Sequence, residues 1–195
     1  MSKKYTNNNL ISKRVHSIIF GTLLGDGYCR PSGSVNFTRS SKQKEYVYWL
    51  HNELKEYTTN MYKEKPKISE VYYKSRDKHY GICTFNSISC FKEYRTLFYI
   101  PHYIENSEEI KFIKRLPNIS EFRKRLDDIA LTIWYLDDGG RASGVRNGVF
   151  LTVDSFTRSE VKVIQIVIYL NFGIKTKYQL AGKSKSGKIQ HRLYV

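Results

Sequence analysis

The scarcities of this chain narrow its function first. Its three cysteines, Cys29, Cys83 and Cys90, are scattered. They form no CxxC pair and no disulfide framework, so the pattern is neither a cystine-knotted secreted scaffold nor a thiolate metal knuckle; reduced, buried thiols in an intracellular protein are expected. The five histidines show no metal-ligand spacing. No apolar run approaches the roughly 18 residues that a membrane span needs. The N-terminus, Met-Ser-Lys-Lys-Tyr-Thr-Asn-Asn-Asn, lacks the plan of a secretory signal. Acidic residues are few: 18 Asp and Glu against 33 Lys and Arg, a formal charge of +15. An excess of that size points to a polyanion, with nucleic acid first and a membrane surface as the alternative.

What is present is enough for a packed fold. The 195 residues suit one domain or two small ones, and 41% are hydrophobic. The 16 tyrosines, among abundant Lys, Ile and Asn, fit the product of an AT-rich genome and hint at an organelle or a phage.

Two stretches share one design. Residues 19–27 read Ile-Phe-Gly-Thr-Leu-Leu-Gly-Asp-Gly, and residues 131–139 read Leu-Thr-Ile-Trp-Tyr-Leu-Asp-Asp-Gly. Each is apolar for about two helical turns and then stops at Asp-Gly. A carboxylate in the last turn of a helix opposes the partial negative charge already there. Two such ends side by side concentrate negative charge, an arrangement suited to a divalent cation. Gly21 and Gly25, four apart, offer a flat helix face for close approach by another helix.

Between and after these stretches the pattern repeats. Ser12 is the expected cap of the first helix, which runs to Asp26. A short strand at residues 28–30, a turn at 31–33 and an alternating strand at 34–40 follow, with Val35 and Phe37 on one face and Ser34, Asn36, Thr38 and Ser40 on the other. An amphipathic helix is expected over residues 42–57, strands over 67–74 and 79–85 around a basic turn, and a third helix from Ser87 to Phe98. Residues 100–119 are charged and read as a linker. One long helix is expected from Ser120 to Asp138. The second copy then gives a hairpin at 141–143 and 148–154, a helix capped by Thr157, and strands at 174–180 and 188–195. The expected organisation is a first repeat over 1–99, a linker over 100–119 and a second repeat over 120–195. The fold class is α+β, two pseudo-symmetric αββαββα units, the second lacking its last helix.

Both stretches resemble the LAGLIDADG motif of homing endonucleases, with Asp26 and Asp138 at the motif's final acid. The likeness covers nearly the whole chain and is closest to the two-motif, single-chain members, on Trp-Tyr-Leu-Asp-Asp-Gly-Gly, Asp154-Ser155-Phe156-Thr157 and Phe172-Gly173. The resemblance implies a central helix pair flanked by antiparallel sheets that form a saddle on the DNA major groove. It implies Mg2+ held by Asp26 and Asp138, with Gly25 and Asp137 beside them as candidate ligands, although Asp137 reads better as structural. Mn2+ is expected to substitute, and Ca2+ to bind without supporting cleavage. Lys114, Asn36 and Thr152 match the positions of the family's basic and polar site residues. Asp26 has Lys114 as a basic partner, whereas the equivalent for Asp138 would follow Val195 with the closing helix, so unequal sites and nicking are expected.

The candidate DNA-reading residues are Arg30, Ser32, Ser34, Thr38, Lys67, Tyr72, Lys74, Arg76, Lys78, Arg141, Arg146, Lys175, Lys177, Gln179, Lys188, Gln190 and Arg192, many of them confined to phosphate. The implied function is Mg2+-dependent double-strand DNA cleavage by an intron- or intein-associated monomer, acting on a long, semi-palindromic target inside a cell, with a mitochondrion or chloroplast as the organelle. The alternative is an RNA maturase or DNA-binding regulator on the same scaffold. Retention of both acids favours the nuclease, and no histidine cluster of the HNH kind offers another nuclease chemistry.

Overall fold

The computed structural model describes residues 11–74, 77–104, 109–142, 148–183 and 189–195. The two apolar stretches form the paired helices at its centre. Helix α1 (Lys13–Leu24) is capped by Ser12, whose side chain accepts from the Val15 N–H. Helix α5 (Asp128–Asp138) is capped in the same way by Asp127, which accepts from Ala130. Asp127 also accepts from the Ser17 hydroxyl at 2.6 Å, so the two helix starts are tied together. Gly21 lies against Ala130 and Ile133, and Gly25 against Asp137. The contacts advance together along both helices, so the helices run parallel and both C-terminal ends reach the same place.

Each helix leads into a four-stranded antiparallel sheet. The first is ordered β1-β2-β4-β3, from β1 (Tyr28–Cys29), β2 (Val35–Ser40), β3 (Lys67–Tyr73) and β4 (Lys78–Asn86). The second is β7-β8-β10-β9, from β7 (Gly139–Arg141), β8 (Val149–Thr152), β9 (Lys177–Lys183) and β10 (Ile189–Tyr194). The identical order makes the two halves copies of one αββαββ plan and gives the α+β saddle around the central helix pair. Beneath the first sheet, α2 (Lys44–Glu53) buries Val47 and Leu50, and Phe37 stacks on Phe85 at 4.5 Å. Helix α3 (Lys92–Phe98) sets Phe98 against Phe20 at 5.3 Å. Beneath the second sheet, α6 (Arg158–Phe172) buries Val161, Ile164, Val167 and Ile168, and a capping box of Thr157 and Glu160 starts it.

Four local expectations change. The third helix starts at Lys92 rather than Ser87, because Ser87 belongs to the sheet edge: its hydroxyl accepts from the Val35 N–H and its carbonyl accepts from Ser34 Oγ. The α2 helix ends at Glu53, with 3-10 turns on either side. The long helix expected from Ser120 is two, α4 (Ile119–Arg125) and α5, broken where Asp127 turns to extended backbone to cap. The linker also holds a hairpin, β5 (Tyr99–Tyr103) with β6 (Ile110–Lys114), which pairs Tyr99 with Lys114. Pro101, Tyr103, Ile110 and Phe112 share one face of it, a signal obscured by the charges around it.

Candidate active site

Asp26 and Asp138 sit where the two parallel helices end. The Asp26 side chain is 52% exposed. Asp138 is more enclosed and accepts a hydrogen bond from Trp134 Nε1 at 3.3 Å, one turn back. Burial pushes the Asp138 carboxyl up to about 7, and the neighbouring charges of Asp26 and Asp137 add to the shift. Both effects disfavour the ionised form. The two helix ends therefore converge as a centre of negative charge.

Lys114 answers that charge. It is the last residue of β6, and the hairpin delivers it to the end of α1, where its Nζ donates to Gly25 O at 2.8 Å and to Gly27 O at 3.4 Å. A cation on terminal helix carbonyls complements the helix dipole. Burial pulls its ammonium down to about 8, against the attraction of Asp138, Asp26 and Asp137 in that order. Lys114 is thus not the partner of Asp26 alone. The parallel helices bring both acids within its field, and Asp138 feels it more.

Asp137 has a different role. Its side chain is fully buried and meets Arg39 in a bidentate pair, Nε to Oδ1 at 2.9 Å and Nη2 to Oδ2 at 2.5 Å. Burial lowers the Arg39 value, yet the charge and hydrogen bonds of Asp137 hold it above normal; burial also pushes the Asp137 carboxyl up while Arg39 pulls it down. The two-pronged geometry is that of an ionised pair. Asp137 is therefore neutralised by a guanidinium, which removes it as a metal ligand. Gly25 offers only a carbonyl that already accepts from Lys114.

Two carboxylates remain, Asp26 and Asp138. Among the described residues no group of three or more His, Cys, Asp or Glu side chains could hold a metal. The donor set fits Mg2+ and not a caged transition metal, because Mg2+ takes one or two carboxylates and completes its shell with water and phosphate oxygens.

A family model described as the LAGLIDADG DNA endonuclease family matches residues 16–195. The chain belongs to that family. The cytochrome b mRNA maturase bI2 of Saccharomyces cerevisiae is 26% identical over 204 residues, covering 100% of this chain and 45% of that protein. The cytochrome b mRNA maturase bI2 of Debaryomyces hansenii is 27% identical over 184 residues, covering 90% of this chain and 63% of that protein. The chain thus spans about half to two thirds of the length of these curated relatives. The homing endonuclease I-WcaI, solved bound to its DNA recognition sequence, superimposes with a TM-score of 0.72 over 94% of this chain and 76% of its own, at 16% identity. That likeness establishes the fold.

On the LAGLIDADG saddle, strand register sorts the candidate DNA-reading residues by face. In the first sheet Lys67 pairs with Thr84 and Thr84 with Thr38, and Lys78 lies on the same face at the far end of the ladder, paired with Tyr73. Asn36 also lies there. Its amide donates to Asn86 Oδ1 at 2.9 Å and its own oxygen accepts from Thr38, whose hydroxyl lies 2.6 Å from that of Thr84. Asn36 is thus held within a hydroxyl-amide network rather than pointing freely at the acids. In the second sheet Thr152 pairs with Arg192 and Arg192 with Gln179, and Lys177 shares their face. Arg192 stacks over Phe150 at 4.1 Å.

Other candidates fall elsewhere. Ser34 is buried, its hydroxyl spent on Ser87 O, so it is not an outward reader. Tyr72 pairs with His79, on the face opposite Lys67, and donates to Asp77 at 2.6 Å. Arg141 pairs with Val149, on the Leu151 side of the second sheet, away from Arg192. A register shift between Ile189 and His191 puts an extra residue into β9 opposite Gln190, so Gln190 has no regular partner there. Arg30, Ser32, Lys74 and Lys175 are exposed outside the regular strands. Arg76, Arg146 and Lys188 lie outside the described residues.

Sequence reasoning missed Arg39. Its signal was present: Val35, Phe37 and Arg39 share one face of β2, and a cation on an apolar face needs a buried anion.

Proposed function

We propose that this chain is a Mg2+-dependent endonuclease that binds a long DNA duplex in its saddle and cuts both strands at its centre. The observation that carries the reading is the paired acids, Asp26 and Asp138, at two parallel helix ends, with Lys114 held on the carbonyls that flank Asp26 and within the field of both acids. Strongly perturbed groups clustered in this way mark chemistry more often than scaffolding.

Asp26 and Asp138 would hold Mg2+, which when bound supplies charge stabilisation at a phosphate and a more acidic water. The residues of the chain do the rest. The sheet faces carrying Lys67, Lys78, Lys177, Gln179 and Arg192 bind the phosphates and base edges of a duplex. Lys114 keeps a positive charge beside the acids and, with a value near 8, can hold or release a proton close to neutral pH. Thr152 and the Asn36–Thr38 network sit at the inner ends of those faces and limit how a strand enters. Among the described residues no helix is long and apolar enough to cross a membrane.

A second reading is RNA maturation, favoured by the names of the two curated relatives; those names also suit the organellar location that the composition suggested. One experiment separates the two. A plasmid carrying the insertion site of the host intron is incubated with the protein in Mg2+ and in Ca2+, while a transcript of that intron is tested for assisted splicing. Linear plasmid in Mg2+ alone supports the nuclease. Splicing assistance without any cut or nick supports the maturase and removes the nuclease.

A further inference from the structure

The Arg39–Asp137 pair does more than join two halves. Arg39 comes from β2 in the first half, and Asp137 from α5 in the second. Arg39 reaches three groups: both oxygens of Asp137, the Thr38 carbonyl at 2.9 Å, and Asp26 Oδ2, 3.6 Å from its Nε. Asp137 Oδ2 in turn accepts from the Asp26 N–H at 3.3 Å. Asp26 is thus gripped twice, at its side chain by the guanidinium and at its backbone by the paired carboxylate. The side chain of Arg39 is only 1% exposed, so the guanidinium cannot swing into solvent.

Stability alone does not account for such a pair. Replacing a buried ion pair by well-packed apolar side chains is often neutral or stabilising, because desolvation offsets the attraction. The pair is also one-sided. At the place where α5 carries Asp137, α1 carries Gly25, and the Gly25 position has no room for a side chain. The acid at the end of α1 therefore has a clamp of paired side chains, whereas the acid at the end of α5 accepts from the Trp134 indole and lies in the field of Lys114.

We propose that Arg39 is a positioning residue which, through Asp137, fixes Asp26 in the geometry that receives a divalent cation. The inference rests on the reading of Asp26 and Asp138 as the cation-binding acids.

The test uses the full chain and Tb3+, a hard oxygen-seeking ion. Trp134 lies against Asp138 and can sensitise its luminescence. Thermal midpoints are measured alongside. In the Arg39→Met/Asp137→Leu double variant the midpoint is expected to return close to that of the parent, while Tb3+ affinity falls about tenfold or more, the usual loss when a residue supporting a metal ligand is removed. Arg39→Lys keeps the charge without the fork and serves if the double variant does not fold; a several-fold loss of Tb3+ affinity at an unchanged midpoint is expected. Parental Tb3+ affinity in either folded variant overturns the positioning role and leaves a purely structural pair. A parent protein whose Tb3+ signal is absent, or is untouched by Asp26→Asn, overturns the reading of the acids themselves, and the positioning role falls with it.

Discussion

Gly25 and Asp137 meet across the helix pair with no space for a methyl group between them. A Cβ on Gly25 would lie 2.5 Å from Cβ of Asp137 and 2.7 Å from its Oδ2. Asp137 cannot retreat, because Arg39 holds both of its oxygens. Gly25→Ala is therefore expected to destabilise the fold by about 1–3 kcal/mol through overpacking. Urea unfolding measures this. Gly25→Ala in the Asp137→Gly background should cost less than in the parent, since both the Cβ and the carboxylate that it meets are gone; equal costs would mean that the contact is not the cause.

Lys114 donates to two carbonyls at the end of α1 and faces both acids. Lys114→Met keeps the length of the side chain and removes the charge. Cleavage is expected to fall by about 10²-fold or more, the scale of a lost charge-stabilising or proton-handling group. DNA affinity should change little, because the side chain is enclosed at the helix ends rather than displayed on a sheet face. Single-turnover cleavage beside a filter-binding titration makes the comparison. A loss confined to binding would place Lys114 on the DNA surface instead.

The metal-free protein should lose stability as pH rises from about 4 to about 7. The folded-state value of Asp138 is raised to about 7, against roughly 3.9 in an unfolded chain. Between those values the folded state binds more protons than the unfolded one, so stability falls with rising pH. Lys114 works at higher pH with the opposite slope: its value is lowered to about 8, so the folded state holds fewer protons than the unfolded one between about 8 and 10 and gains stability as pH rises there. Thermal midpoints of the parent and Asp138→Asn, measured in EDTA from pH 4.5 to 8, isolate the first effect. Asp138→Asn is expected to flatten the decline. A decline of equal steepness in the variant would assign it to other groups.

Much of this arrangement was legible in the chain, for reasons that differ from residue to residue. The helix pair showed because Asp-Gly ends an apolar run twice, and Ser12 and Thr157 announced their caps. The strands of the second sheet showed in simple alternation, as at Val149 and Leu151, although their order did not. The hairpin that carries Lys114 was hidden, since its alternation is broken by surface charge and its exposed apolar residues cover no core. Asp127 as a cap was hidden inside a continuous helical pattern, where an acid can be solvated or structural. The pairing of Arg39 with Asp137 is a contact across 98 positions, and only the close approach allowed by the glycines of α1 brings the two together. Ser34 is buried for a related reason: which strand residues see solvent depends on what packs at the sheet edge, here Ser87.

The first sheet offers hydroxyls and amides at its inner end, and the second offers Lys177, Gln179 and Arg192. Lys177→Ala is expected to weaken all DNA alike and to reduce the slope of log K against log salt by about 1. Arg192→Ala should cost about 1–3 kcal/mol of discrimination at one position of the half-site under the second sheet, with guanine the base most dependent on it. Binding titrations at several salt concentrations, against a panel of single-base variants, distinguish these effects. Equal losses on every sequence for both variants would confine Arg192 to phosphate.

The most direct test of the paired acids follows each strand separately. A duplex carrying the insertion site is labelled on one strand or the other, and single-turnover cleavage in Mg2+ is measured for the parent, Asp26→Asn and Asp138→Asn, with binding measured in Ca2+. The parent should cut both strands. Each variant should bind the duplex within a few-fold of the parent and lose cutting of at least one strand by several orders of magnitude. Parental cutting of both strands by either variant would contradict the account.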